Sequence, residues 1–106
     1  MTGQIILWAA AAYNLVIGGL SMLQPGASRE GRVTAVLVTG FGVVYAIAAS
    51  DPARYGPVLW AGVLGKLGVI ALLAPAVRRG EAPRALGWVL AGDALFTALF
   101  LGLLLG

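Results

Sequence analysis

The charges of this chain are confined to a few places, and that confinement limits what it can fold into. Four apolar stretches follow one another: Gln4 to Gln24, Val33 to Ser50, Val58 to Val77 and Ala85 to Gly106, each of 18 to 22 residues. The first two carry no charge; the third holds only Lys66 and the fourth only Asp93. A helix needs about 20 residues to cross a ~30 Å hydrocarbon core. Inside lipid every backbone N–H and C=O must be satisfied within its own segment, so helix is the expected state even in a chain with 16 glycines. The predicted fold class is all-α, an antiparallel four-transmembrane-helix bundle with helices at about 4–24, 33–50, 58–77 and 85–105. The prediction is one domain over residues 1–106, with no extramembrane part.

Composition closes off the main alternatives. Of 106 residues, 60% are hydrophobic and 10% charged, and the mean hydropathy is +0.96. Soluble domains carry about 25% charged residues, and a chain this short has too small a core to hide so much apolar surface from water. The same figures exclude a disordered chain. There is no Cys and no His. That removes disulfides, thiol redox chemistry, Fe–S clusters and the usual ligands of haem, zinc and copper. No cofactor, no metal site and no enzymatic activity are expected. The net charge of +3 does not point to nucleic acid, because the basic residues form no stripe and fall between the apolar stretches.

The separators 25–32, 51–57 and 78–84 are rich in Pro, Gly and charge and read as turns. Segments so short force sequential helices to run antiparallel. The first apolar stretch lacks a basic leader and is too long for a signal peptide, so it reads as an uncleaved helix. Arg29, Arg32, Arg78, Arg79 and Arg84 lie in the first and third separators, against Arg54 alone in the second. Arginine bias therefore predicts cytoplasmic first and third turns and both termini outside. Trp8, Tyr55 and Trp60 then fall near the outer boundary and Trp88 near the inner one, as aromatic belts require.

A 50-residue shift places Gly18 on Gly68, Leu23 on Leu73, Pro25 on Pro75 and Arg29 on Arg79. After a small gap Arg32 meets Arg84 and Gly40 meets Gly92. Such matches describe two parallel helical hairpins. A chain built from Ala, Leu, Gly and Val also produces them by chance.

Two residues are costly at membrane depth. An ionised side chain at a helix centre costs about 2.5–3.5 kcal/mol on insertion scales. Lys66 lies roughly 12 Å from the predicted outer end of its helix and Asp93 roughly 12 Å from the predicted inner end of its own, so their backbones differ in height by roughly 6 Å. A lysine side chain spans most of that, and an intramembrane Lys66–Asp93 ion pair is expected. Asn14, Tyr45 and Thr97 fall at similar depth, Thr97 one turn above Asp93. Together the five could form a site for a proton, an ion or a polar ligand head. They equally describe interhelical hydrogen bonds plus one ion pair that sets register. Gly62, Gly65 and Gly68, with Gly40, Gly42, Gly18 and Gly19, read as close-packing positions. In the outer turn Asp51 is expected to cap the following residues or pair with Arg54, and Tyr55 to anchor at the interface. The same turn could also form the mouth of a site leading toward Lys66.

The segment from Asp51 to Phe100 resembles a group of uncharacterised small bacterial four-helix integral membrane proteins. The shared features are Asp51-Pro52, Arg54-Tyr55 followed by Pro57, Gly62-x-x-Gly65-Lys66, and Gly92-Asp93 with Phe96. The resemblance covers about half the chain and implies a multi-pass protein of the bacterial inner membrane, with no established activity attached. DoxX-like proteins share the layout without a shared decisive motif. Small multidrug resistance transporters have similar length, but rely on a membrane-embedded Glu in their first helix; here that helix offers only Asn14.

Three functions fit these features. The first is an accessory or structural subunit of a larger membrane complex. The second is a small homo-oligomeric transporter or channel using Lys66 and Asp93. The third is a module that binds lipid or quinone.

Overall fold

The computed structural model describes residues 2–83 and 85–106, so Arg84, counted above among the topology-setting arginines, lies outside the described residues. The element order is α1 (Thr2–Leu23), α2 (Arg29–Ser50), α3 (Pro52–Tyr55), a 3₁₀ turn (Gly56–Val58), α4 (Leu59–Arg78) and α5 (Ala85–Leu105). The expected all-α class holds: four helices are long and apolar enough to cross a membrane, and no strand occurs among the described residues. The protein is thus a multi-pass membrane protein. The chain divides into two compact units, 1–56 and 57–106, each built on one helical hairpin.

In the first unit, α1 and α2 pack against each other. The buried positions of α1 are Leu7, Ala10, Ala11, Asn14 and Gly18; those of α2 are Ala35, Gly42, Tyr45, Ala48 and Ala49. Both sets step by three and four, the spacing of one helix face. They are mostly small, so the backbones come close. A Cβ on Gly18 would meet the Thr39 hydroxyl and stand 2.8 Å from the Thr39 nitrogen, and one on Gly42 would stand 2.9 Å from Leu15 Cγ. These two glycines do pack helix on helix. Gly40, Gly65 and Gly68 do not: each is exposed, and a Cβ there would meet nothing within 4 Å. They lie off the buried stripes, which pass through 35, 42 and 45 on α2 and through 59, 62, 63 and 66 on α4. Gly62 is buried on the α4 stripe.

Helix ends follow local chemistry. α2 begins at Arg29, a turn earlier than the charge pattern implied, because Ser28 caps it by accepting from the Gly31 N–H at 3.0 Å. Gln24 to Ala27 forms a turn with Pro25 second and Gly26 third. Gly26 has φ +78, and the Ala27 N–H donates to the Gln24 carbonyl, as a type II turn requires. α4 ends differently. Gly80 at φ +73 donates to Val77 and the Glu81 N–H reaches back to Ala76, which closes a Schellman motif. Pro25 lies in a turn while Pro75 lies inside α4, so the 50-residue correspondence does not extend to their local structure.

The 51–57 turn is more ordered than a bare loop. Asp51 caps α3 by accepting from the Arg54 N–H at 3.4 Å, and Pro52 takes the first helical position, where its missing N–H is not needed. No Asp51–Arg54 ion pair occurs among the described residues. The Arg54 guanidinium instead lies 5.3 Å from the centre of the Tyr55 ring.

The solvent-facing surface fits lipid. Leu20, Leu37, Leu64, Leu72, Leu95 and Leu105 are all more than half exposed. In water such a density of apolar side chains would drive association; in a bilayer it needs no cover. Trp8, Trp60 and Trp88 are also exposed.

Candidate functional site

The costly residues of the second unit meet. Lys66 lies on the α4 stripe with Leu59, Gly62 and Val63, and Asp93 on α5 between Leu90 and Thr97. Lys66 Nζ stands 2.8 Å from Asp93 Oδ1. The two side chains retain 7% and 13% of their exposure, so the pair is largely withdrawn from solvent. The geometry is that of a charge-assisted hydrogen bond. Lys66 Nζ also lies 5.9 Å from the centre of the Phe96 ring, within cation–π range. Lys66 falls about 11 Å into α4 and Asp93 about 12 Å into α5, at 1.5 Å per residue. Each charge is therefore near the middle of its span.

Thr97, one turn beyond Asp93, is buried and donates its hydroxyl to the Asp93 carbonyl at 2.7 Å. This local bond satisfies the hydroxyl within its own helix. Thr97 thus shares a face with Asp93 while its hydroxyl is engaged by α5 itself.

In the first unit Asn14 is buried and donates from Nδ2 to the Val38 carbonyl at 3.1 Å. Tyr45 is fully buried, its ring 6.1 Å from that of Phe41. Gln4 donates from Nε2 to the Ala49 carbonyl at 3.0 Å. Gln4 and Asn14 therefore stitch α1 to α2 at two levels, ten residues apart. Gln4 had no assigned role in the sequence; its signal was a carboxamide inside an apolar run. Thr39 was likewise unassigned. Its hydroxyl donates to Ala35 at 2.8 Å and faces Gly18.

Chemically, Lys66, Asp93, Thr97, Asn14 and Gln4 are engaged by short bonds of 2.7 to 3.1 Å. No buried side-chain nitrogen or oxygen among the described residues lacks a partner. No group of three His, Cys, Asp or Glu able to hold a metal occurs among them either. The ion pair Arg79–Glu81, at 3.3 Å, is largely exposed and adds little stability. Comparison of the chain with protein-family models, with curated proteins and with solved structures finds no match.

Proposed function

We propose that this protein is an integral membrane subunit that works through its lateral helix faces, as an accessory or structural component of a larger membrane assembly in the bacterial inner membrane. The observation that carries this reading is that the intramembrane polar groups are engaged by the protein itself: Lys66 bonds Asp93, Thr97 the α5 backbone and Asn14 the Val38 carbonyl, and no buried side-chain nitrogen or oxygen among the described residues lacks a partner. What the helices present outward is mostly apolar side chain, suited to lipid or to another protein's helices. Arginine placement supports cytoplasmic turns after α1 and α4, with both termini outside. The test is purification in mild detergent from native membranes. The subunit reading expects co-migration with a larger assembly on native gels; recovery only as a free monomer or homo-oligomer counts against it.

A second reading is a small oligomeric transporter or channel. One observation favours it: a charged pair near mid-span, beside an aromatic ring, is an expensive feature that membrane proteins commonly retain for proton or ion movement. Flux in liposomes that depends on Lys66 and Asp93 would support it. Flux unchanged by Lys66→Ala and Asp93→Asn would sink that role for the pair.

A further inference from the structure

The exposed face of α2 carries a feature that the accessory role does not use. A shallow groove of about 470 Å³ opens at the start of the helix, lined by Ala27, Arg29, Arg32, Val33 and Val36. Residues 29, 32, 33 and 36 are spaced by three, one and three, so they share one face. All four are exposed. The face continues through Gly40, where a Cβ would meet nothing, to the exposed Val43. It points away from the stripe of Ala35, Gly42 and Tyr45 that is buried in the first unit.

Chemistry along this face changes once. At its head stand two guanidinium groups without an ion-pair partner among the described residues; below them every side chain is apolar or absent. Glu30 lowers the net charge of the turn but does not line the groove. The helix terminus itself is already capped by Ser28 at the Gly31 N–H, so the arginines supply the attraction for an anion. From Val33 to Val43 the helix rises about 15 Å, the depth of one leaflet of a ~30 Å core.

We infer that this face is a binding site for one anionic phospholipid, its phosphate held between Arg29 and Arg32 and one acyl chain lying along Val33, Val36 and the gap at Gly40. A guanidinium binds a phosphate by paired N–H donors, which a zwitterionic lipid partly offsets with its own cation. Two arginines at an anionic lipid surface are worth roughly thirty-fold in binding, from ~1 kcal/mol each and 1.4 kcal/mol per tenfold.

The test is native mass spectrometry of the detergent-purified full chain, titrated with phosphatidylglycerol and with phosphatidylcholine of the same acyl chains. Phosphatidylglycerol should be retained preferentially, and R29Q/R32Q should weaken its binding roughly thirty-fold. R78Q/R79Q, in the other charged turn, should change it less than threefold. V36W, which fills the apolar part of the groove, should weaken both lipids. Helicity by circular dichroism verifies that each variant is folded; if R29Q/R32Q does not fold, V36W and the lipid comparison decide. Equal retention of the two lipids overturns the inference, as does binding unaffected by R29Q/R32Q. Equal losses in R29Q/R32Q and R78Q/R79Q would mean diffuse charge rather than a site. A dimer that V36W dissociates would mean that a second copy covers the face, and would also overturn it.

Discussion

Lys66 and Asp93 sit 27 positions apart in the chain and join their side chains at 2.8 Å, one from each long helix of the second unit. Neither charge is tolerable alone at that depth, so each explains the other's presence. The pair also sets register, because an α5 displaced by one residue would turn Asp93 about 100° off the facing stripe. Apolar packing alone discriminates poorly among such registers in α5, whose sequence is apolar nearly all round.

In the first unit the corresponding role falls to neutral groups. Replacing Asn14 by Leu removes one side-chain bond to the Val38 carbonyl. Interhelical hydrogen bonds in lipid are worth ~0.6 kcal/mol on average and up to ~1.7. Unfolding in a mixed-detergent titration should register a loss of at least ~0.6 kcal/mol, smaller than for removal of either member of the ion pair.

Glycine substitutions should divide by position and not by residue type. Gly18→Leu and Gly42→Leu push side chains into α2 and α1 and should cost at least 1–3 kcal/mol, the usual overpacking penalty. Gly65→Ala and Gly68→Ala face open space in helical conformation and should be neutral or stabilising by up to ~1 kcal/mol. Thermal denaturation in detergent would separate the two groups, and a destabilised Gly65→Ala would reveal a helix packed on that face.

The absence of cysteine makes topology directly measurable. Ser28→Cys and Ala53→Cys each create a unique thiol, on turns predicted to face opposite sides. A membrane-impermeant maleimide applied to intact spheroplasts should label Cys introduced at 53 and leave that at 28 unmodified until the membrane is opened. The reverse pattern would invert the orientation drawn from arginine bias.

Much of the fold is legible in the sequence. Helix number, the approximate spans and the ion pair all follow from where charge interrupts an apolar chain. Asp51 as a cap is legible too, because Asp-Pro is a strong helix-start signal. The start of α2 is not, since charge between apolar stretches marks a loop, whereas Arg29 to Arg32 form its first turn under a Ser28 cap. The glycines were read only in part. Their spacing identifies a helical face without saying whether another helix lies against it. Gly18 and Gly42 meet one, while Gly40, Gly65 and Gly68 do not. The role of Gln4 is not legible in the sequence because a polar residue near a helix end is normally solvated, and here it reaches the Ala49 carbonyl.

The claim that the intramembrane charges serve each other is tested most directly by a double-mutant cycle on Lys66 and Asp93. Stability of wild type, Lys66→Met, Asp93→Leu and the double variant would be measured by reversible unfolding in detergent. Each single change strands a buried charge and should cost about 3–5 kcal/mol; the double change should return to within ~1 kcal/mol of wild type or exceed it. Losses that simply add in the double variant would contradict the account, because the two residues would then be stabilising the protein through separate partners.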